Sequence, residues 1–169
     1  MKARTVVLVL LSFLALACSP DSSDSPGEER CVQPLPTRGT MVEGALAIGE
    51  GDAANFTSFE DGQQVVLVHG PQGGFMITPV FQVDQEKLGT DGRCVYLHLA
   101  ASIEGVDPIG LDVHLTDLVG TNGHLTTEAL PFLLSFDPNA LVGKSCAVTA
   151  TWQDDGVIAT AQVSVVLVQ

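Results

Sequence analysis

Cys146-Ala147-Val148-Thr149-Ala150-Thr151-Trp152-Gln153, then Asp154-Asp155-Gly156, then Val157 through Val168, is the stretch on which the fold turns. Cys146, Val148, Ala150 and Trp152 occupy every second position, so they share one face of a strand. Asp-Gly accepts the positive φ angles of a tight turn and returns the chain into a second strand, Val157 to Val168. A period of two beside such a turn predicts an antiparallel hairpin that closes a sheet.

The same period recurs on the way back toward the start. Phe132, Leu134 and Phe136 share a face over Pro131–Phe136. Asp137-Pro138-Asn139 then reads as a single helical turn, an oxygen cap followed by proline, and Gly143 ends it. Leu111, Val113 and Leu115 oppose Asp112, His114 and Thr116, while Val95, Leu97 and Leu99 oppose Tyr96, His98 and Ala100. Val65-Val66-Leu67-Val68, inside Gln63–His69, is a continuous apolar run of strand length, which predicts a strand buried on both faces. Gly70-Pro71-Gln72-Gly73-Gly74 supplies turn dihedrals, and Phe75, Ile77, Phe81 and Val83 alternate with Met76, Thr78, Val80 and Gln82, so the two segments read as a hairpin. Pro79 cannot donate to a ladder and predicts an edge or a bulge there. From Glu43 onward, Leu46 and Ile48 alternate with Ala45, Ala47 and Gly49. About eight or nine strands, without a long amphipathic helix, predict an all-β antiparallel sandwich over residues 41–169.

Residues 131–168 resemble the immunoglobulin-like pattern of a strand, a short helical turn, a cysteine-bearing strand and a closing hairpin. The resemblance implies an immunoglobulin-like sandwich. The strand at Gln63–His69 lacks the partner cysteine that antibody domains use.

The N-terminus is of another kind. Lys2 and Arg4 precede an apolar run from Val6 to Ala17, and past Cys18 the chain turns polar at Ser19-Pro20-Asp21-Ser22-Ser23-Asp24. This is the layout of a secretory leader, and the run is too short to span a bilayer. Leu14-Ala15-Leu16-Ala17-Cys18 resembles the lipobox of bacterial lipoproteins, with Ala15 where that family usually has leucine. The resemblance implies cleavage after Ala17, acyl chains on Cys18, and a cell-envelope protein held to the membrane. The plain alternative is an ordinary leader followed by a chance cysteine. Ser19 after the cysteine, in place of Asp, implies by the same resemblance sorting to the outer membrane of a Gram-negative cell. His69-Gly70-Pro71-Gln72-Gly73-Gly74 is similar to a hairpin of uncharacterised bacterial lipoproteins, in which an aromatic and a histidine often follow. Here Phe75 matches and Met76 stands where the histidine would be.

Removal of residues 1–17 takes away Lys2 and Arg4 and no acid, so the net charge moves from −13 to −15. Clustered Lys and Arg are what phosphate binding requires, so this composition argues against nucleic acid and anionic lipid as partners. The twelve residues Ser19–Arg30 are polar and aperiodic, a linker with a coil span of roughly 20 Å and a stretched limit of about 40 Å. Val32 to Thr40, with Pro34 and Pro36, continues that extended approach, so residues 18–40 read as lipidated terminus and linker.

Lipidation of Cys18 leaves Cys31, Cys94 and Cys146, enough for one disulfide in an oxidising compartment. Cys94 with Cys146 is the favoured pair, because both lie in strand-like segments, though Cys31 could take either partner. None sits at CxxC spacing, which argues against a zinc site. His98 and His114 fall on the polar sides of strands that may be neighbours, and with Asp112 close by they are the candidate ligands for a transition metal. The plain alternative is two solvent-facing histidines. His69 adjoins the glycine turn, and His124 reads as a loop residue. Glu50 with Asp52, and Asp154 with Asp155, offer oxygens to calcium but lack the spacing of a dedicated loop. No Gly-x-Ser-x-Gly is present, and no Gly-rich loop opens a helix. The sequence therefore predicts a non-catalytic binding or structural module without a cofactor, lipid-anchored at Cys18, with histidine-based metal binding as the alternative.

Overall fold

The computed structural model describes residues 39–89, 92, 95–115, 117–154 and 156–169. The chain divides into two compact units, Met1–Arg30 and Cys31–Gln169, and every described residue belongs to the second. The expected leader, the lipidated Cys18 and the linker through residue 38 lie outside the described residues, as do Cys31 and Cys94.

The strands begin with β1 (Thr40–Met41), β2 (Leu46–Glu50), β3 (Thr57–Ser58), β4 (Gln64–Val66), β5 (Val68–His69), β6 (Phe75–Ile77) and β7 (Val80–Asp84). A single helical turn, α1 (Gln85–Leu88), leads toward β8 (Val95–Ile103), β9 (Ile109–Leu115), β10 (Leu118–Thr121), β11 (His124–Thr127) and β12 (Phe132–Ser135). A 3-10 turn at Pro138–Ala140 precedes β13 (Ser145–Asp154) and β14 (Val157–Val168). Three sheets result. The largest runs β1-β14-β13-β8-β9, with β4 also against β14; the others run β10-β11-β7-β2-β3 and β12-β6-β5. All pairings are antiparallel except β1 and β4, which lie parallel to β14 at its two ends. The fold is all-β and sandwich-like, as the alternation predicts.

The closing hairpin forms at the expected residues, with Asp154 opposite Val157 and Ser145 opposite Val166. Its inner face, Cys146, Val148, Ala150 and Trp152, is fully buried and meets Ile103, Ala101, Leu99 and Leu97 of β8. These residues join Ile77, Phe81 and Val83 from the smaller sheets in one apolar core. Asp137 caps the 3-10 turn, its Oδ1 accepting from the Asn139 N–H at 2.9 Å. Asp84 caps α1 in the same way, accepting from the Lys87 N–H at 3.1 Å. That hydrogen bond holds the Asp84 carboxyl below its ordinary pKa of 3.8, so the cap persists at neutral pH and fades as pH falls through the folded value.

Three expectations need correction. The run Val65–Val68 is not one strand buried on both faces. It is β4 and β5 broken at Leu67, with Val66 and Val68 exposed. The reason is a change of sheet: β4 pairs with β14, β5 pairs with β6, and the Leu67 N–H donates to Val168 O at 2.7 Å. Pro79 likewise separates β6 from β7, which belong to different sheets. Phe136 does not share the buried face of Phe132 and Leu134, because β12 ends at Ser135 after a register shift, and its ring is 65% exposed. His124 opens β11, opposite Thr121 and Asp84, across a turn formed by Asn122 and Gly123 at φ 52° and 78°.

Cys146 is the described member of the favoured disulfide pair. Its thiol is free and fully buried. It lies opposite Ile103, whereas Val95, the first described residue of β8, lies opposite Asp154 at the other end of β13. Cys94, the favoured disulfide partner, lies outside the described residues. Burial pushes the Cys146 thiol up from 9.0 to about 11. The folded state holds this proton more tightly than the unfolded chain, so the stabilisation is complete below pH 9.0 and is lost as pH rises toward about 11. Peptide mapping after maleimide treatment at pH 8 should find Cys146 unlabelled in native protein and labelled in denaturant. Equal labelling in both states would contradict the burial.

Candidate functional site

Two places gather residues with binding chemistry. The first is the outer face of β8 and β9. Register sets Thr151, His98 and Asp112 in one cross-strand row and Gln153, Tyr96 and His114 in the next. His98 and His114 therefore share a face as diagonal neighbours, a spacing of about 7–8 Å. His98 Nδ1 lies 2.7 Å from Asp112 Oδ1, and this pair is exposed. The His114 ring stacks on Tyr96, with centroids 4.7 Å apart and planes inclined by 18°. The structure thus brings together the two histidines that the alternation singles out. Among the described residues, no group of three His, Cys, Asp or Glu side chains converges as a metal site.

The second place is the hairpin between β5 and β6, built from His69-Gly70-Pro71-Gln72-Gly73-Gly74. The Gly70 N–H donates to Gly74 O at 2.8 Å, the Gly73 N–H donates to Gly70 O at 3.0 Å, and Gly73 takes φ 87°. Gly70 and Gly74 are both buried, and their missing side chains make room for neighbours. A Cβ on Gly74 would overlap Leu133 Cδ1 and touch the Phe136 ring, and one on Gly70 would press on Met76 Cε. The result is a mainly apolar groove of about 130 Å³ lined by Gly70, Pro71, Gln72, Gly74, Met76, Leu133 and Phe136. Met76 stands between Val68 and Leu133 in one cross-strand row. His69 packs edge-on against Phe75, centroids 5.1 Å apart.

Val66 is 61% exposed two residues before Val68, and both alternate with the buried Val65 and Leu67. Val142 is exposed and precedes Gly143, whose N–H donates to Leu167 O. Three of the seven exposed large hydrophobic residues described meet at this hairpin: Leu133 and Phe136 line the groove, and Val68 lies opposite Met76, which also lines it. A concentration of apolar surface in one place marks an interaction site, whereas single exposed hydrophobics do not. Sequence reading identified the glycine turn but missed Leu133 and Phe136. The signal was available for Phe136: it directly precedes the Asp137 cap, so the strand had to end before its ring could turn inward.

A larger hollow of about 530 Å³ lies between residues 51–54 and the ends of β10 and β11, with Asp52 and Glu128 on its rim. The Asp52 carboxylate is engaged in its own turn, where Oδ1 accepts from the N–H groups of Ala54 and Asn55, both at 2.9 Å. Of the favoured disulfide pair, Cys146 is a free thiol and Cys94 lies outside the described residues, as does the lipidation candidate Cys18. No protein family, curated protein or solved structure matches the chain.

Proposed function

We propose that this chain is a lipid-anchored lipoprotein of the bacterial cell envelope that acts as a non-catalytic binding module. The anchor rests on Cys18 and the lipobox-like residues before it. Ser19 favours the outer membrane. The binding role rests on one observation, the clustering of exposed apolar side chains around the groove at Gly70–Gly74. Such surface weakens solubility unless something covers it, which is why its concentration at one hairpin supports recognition. Two or more acyl chains would hold the domain firmly, since each buried methylene contributes roughly 0.8 kcal/mol and a single chain is marginal. Cys18→Ser should abolish incorporation of labelled fatty acid into the protein and leave its leader uncut. A Cys18→Ser chain that is still processed and still membrane-bound would sink the anchoring reading.

One observation favours a second reading. His98 and His114 share an exposed face, and Asp112 beside His98 Nδ1 orients that ring with Nε2 left for a ligand. Metal binding there predicts heat on titration with zinc or copper that His98→Ala together with His114→Ala abolishes. Heat unchanged by the double substitution would remove the reading.

A further inference from the structure

Resting on the binding-module reading, we infer that the groove at Gly70–Gly74 receives one large apolar side chain from a basic segment of a partner protein, and that it does so at the end of the domain opposite the tether. The chain enters the domain at the start of β14, where the Thr40 N–H donates to Gly156 O and Met41 lies opposite Ile158. The groove adjoins the other end, where Val66 lies opposite Val168 and the Leu67 N–H donates to Val168 O. Eleven residue steps of β14 separate the two, roughly 36 Å at about 3.3 Å per residue. The twenty residues between Cys18 and Gly39 would span roughly 25 Å as coil. The groove thus lies at the far end of β14 from the point where the chain enters the domain.

Size and charge narrow the occupant. At about 130 Å³ the groove suits a single large side chain and is too small for a folded element. Apart from the Gln72 amide, its side-chain lining is aliphatic, thioether and aromatic, which favours phenylalanine, leucine or methionine. The exposed Asp137 follows Phe136 directly, and the whole chain carries −13. Lysine or arginine beside the inserted side chain would be drawn to this field, whereas an acidic segment would be repelled. The same charge argues against a bilayer of anionic lipid as the occupant.

The test uses the full chain in phosphatidylcholine nanodiscs and a fluorescein-labelled peptide carrying one phenylalanine between lysines, read by polarisation. Saturable binding is expected. Phe136→Ser and Leu133→Asp should each weaken it at least about tenfold, as should glutamates in place of the lysines. Val119→Ser, an exposed apolar site on β10, should leave it unchanged. Both groove residues are exposed, and retained thermal unfolding transitions would show that the variants fold. Absence of saturable binding, or equal loss with Val119→Ser, overturns the proposal. So does release of the wild-type chain's hold on plain vesicles by the groove substitutions, which would make the groove a lipid contact. Failure of anchoring is distinguishable, because it shows as wild-type chain free of the discs while peptide binding can still be scored.

Discussion

Trp152→Ala should lower the unfolding free energy by about 3–5 kcal/mol, enough to unfold a domain at the weaker end of the usual 5–15 kcal/mol range. Trp152 is the largest fully buried side chain, at 0% exposure, and its cross-strand partners are Leu97 and Ala159. It sits in the central strand of the largest sheet, where both neighbouring strands restrain any collapse into the cavity. The indole Nε1 is buried without a hydrogen-bond partner among the described residues. The cost of truncation is therefore all packing, with no hydrogen bond to lose. Trp152→Phe separates the two effects: it keeps most of the ring contact, removes the unpartnered donor, and should cost less than half as much as alanine. Urea unfolding followed by circular dichroism measures both. If alanine proved as mild as phenylalanine, Trp152 would not anchor this core.

Gly51→Ala should cost about 2–6 kcal/mol, an effect of comparable size. Gly51 takes φ 102°, where a side chain is strained by about 1–3 kcal/mol, and a Cβ there would overlap the carbonyl oxygen of Asn55. Backbone cannot step aside as a side-chain end can, so overpacking adds a further cost of about 1–3 kcal/mol. Gly123→Ala serves as the contrast, since a Cβ on Gly123 meets nothing within 4 Å although φ is 78°. The difference in denaturation midpoint between the two reads the overlap alone. Equal losses would show that the close approach at Gly51 relaxes freely.

The closing hairpin was legible because two independent signals agree at residues 146–168. The period of two assigns the faces, and Asp-Gly fixes where the chain reverses. Alternation alone put His98 and His114 on the polar sides of their strands, and the pairing of β8 with β9 that joins those sides came from the structure. Val65–Val68 was not legible, since an unbroken apolar run carries no mark of where a strand leaves one sheet for another; the Leu67 hydrogen bond to Val168 O decides that from a distance. Cys146 illustrates a related gap. Being in neighbouring strands is necessary for a disulfide, but register determines which ends meet, and the antiparallel offset puts Ile103 opposite Cys146. At the groove, the turn glycines were visible but their purpose was not, because Leu133 and Phe136 arrive from a strand about sixty residues later in the chain, a non-local contact that no local pattern encodes.

The account depends most on what Cys18 carries. Intact-mass and peptide mass spectrometry of the mature protein purified from envelopes should find a chain beginning at Cys18 with acyl mass on that residue. A chain without added acyl mass, recovered free from the medium, would contradict it.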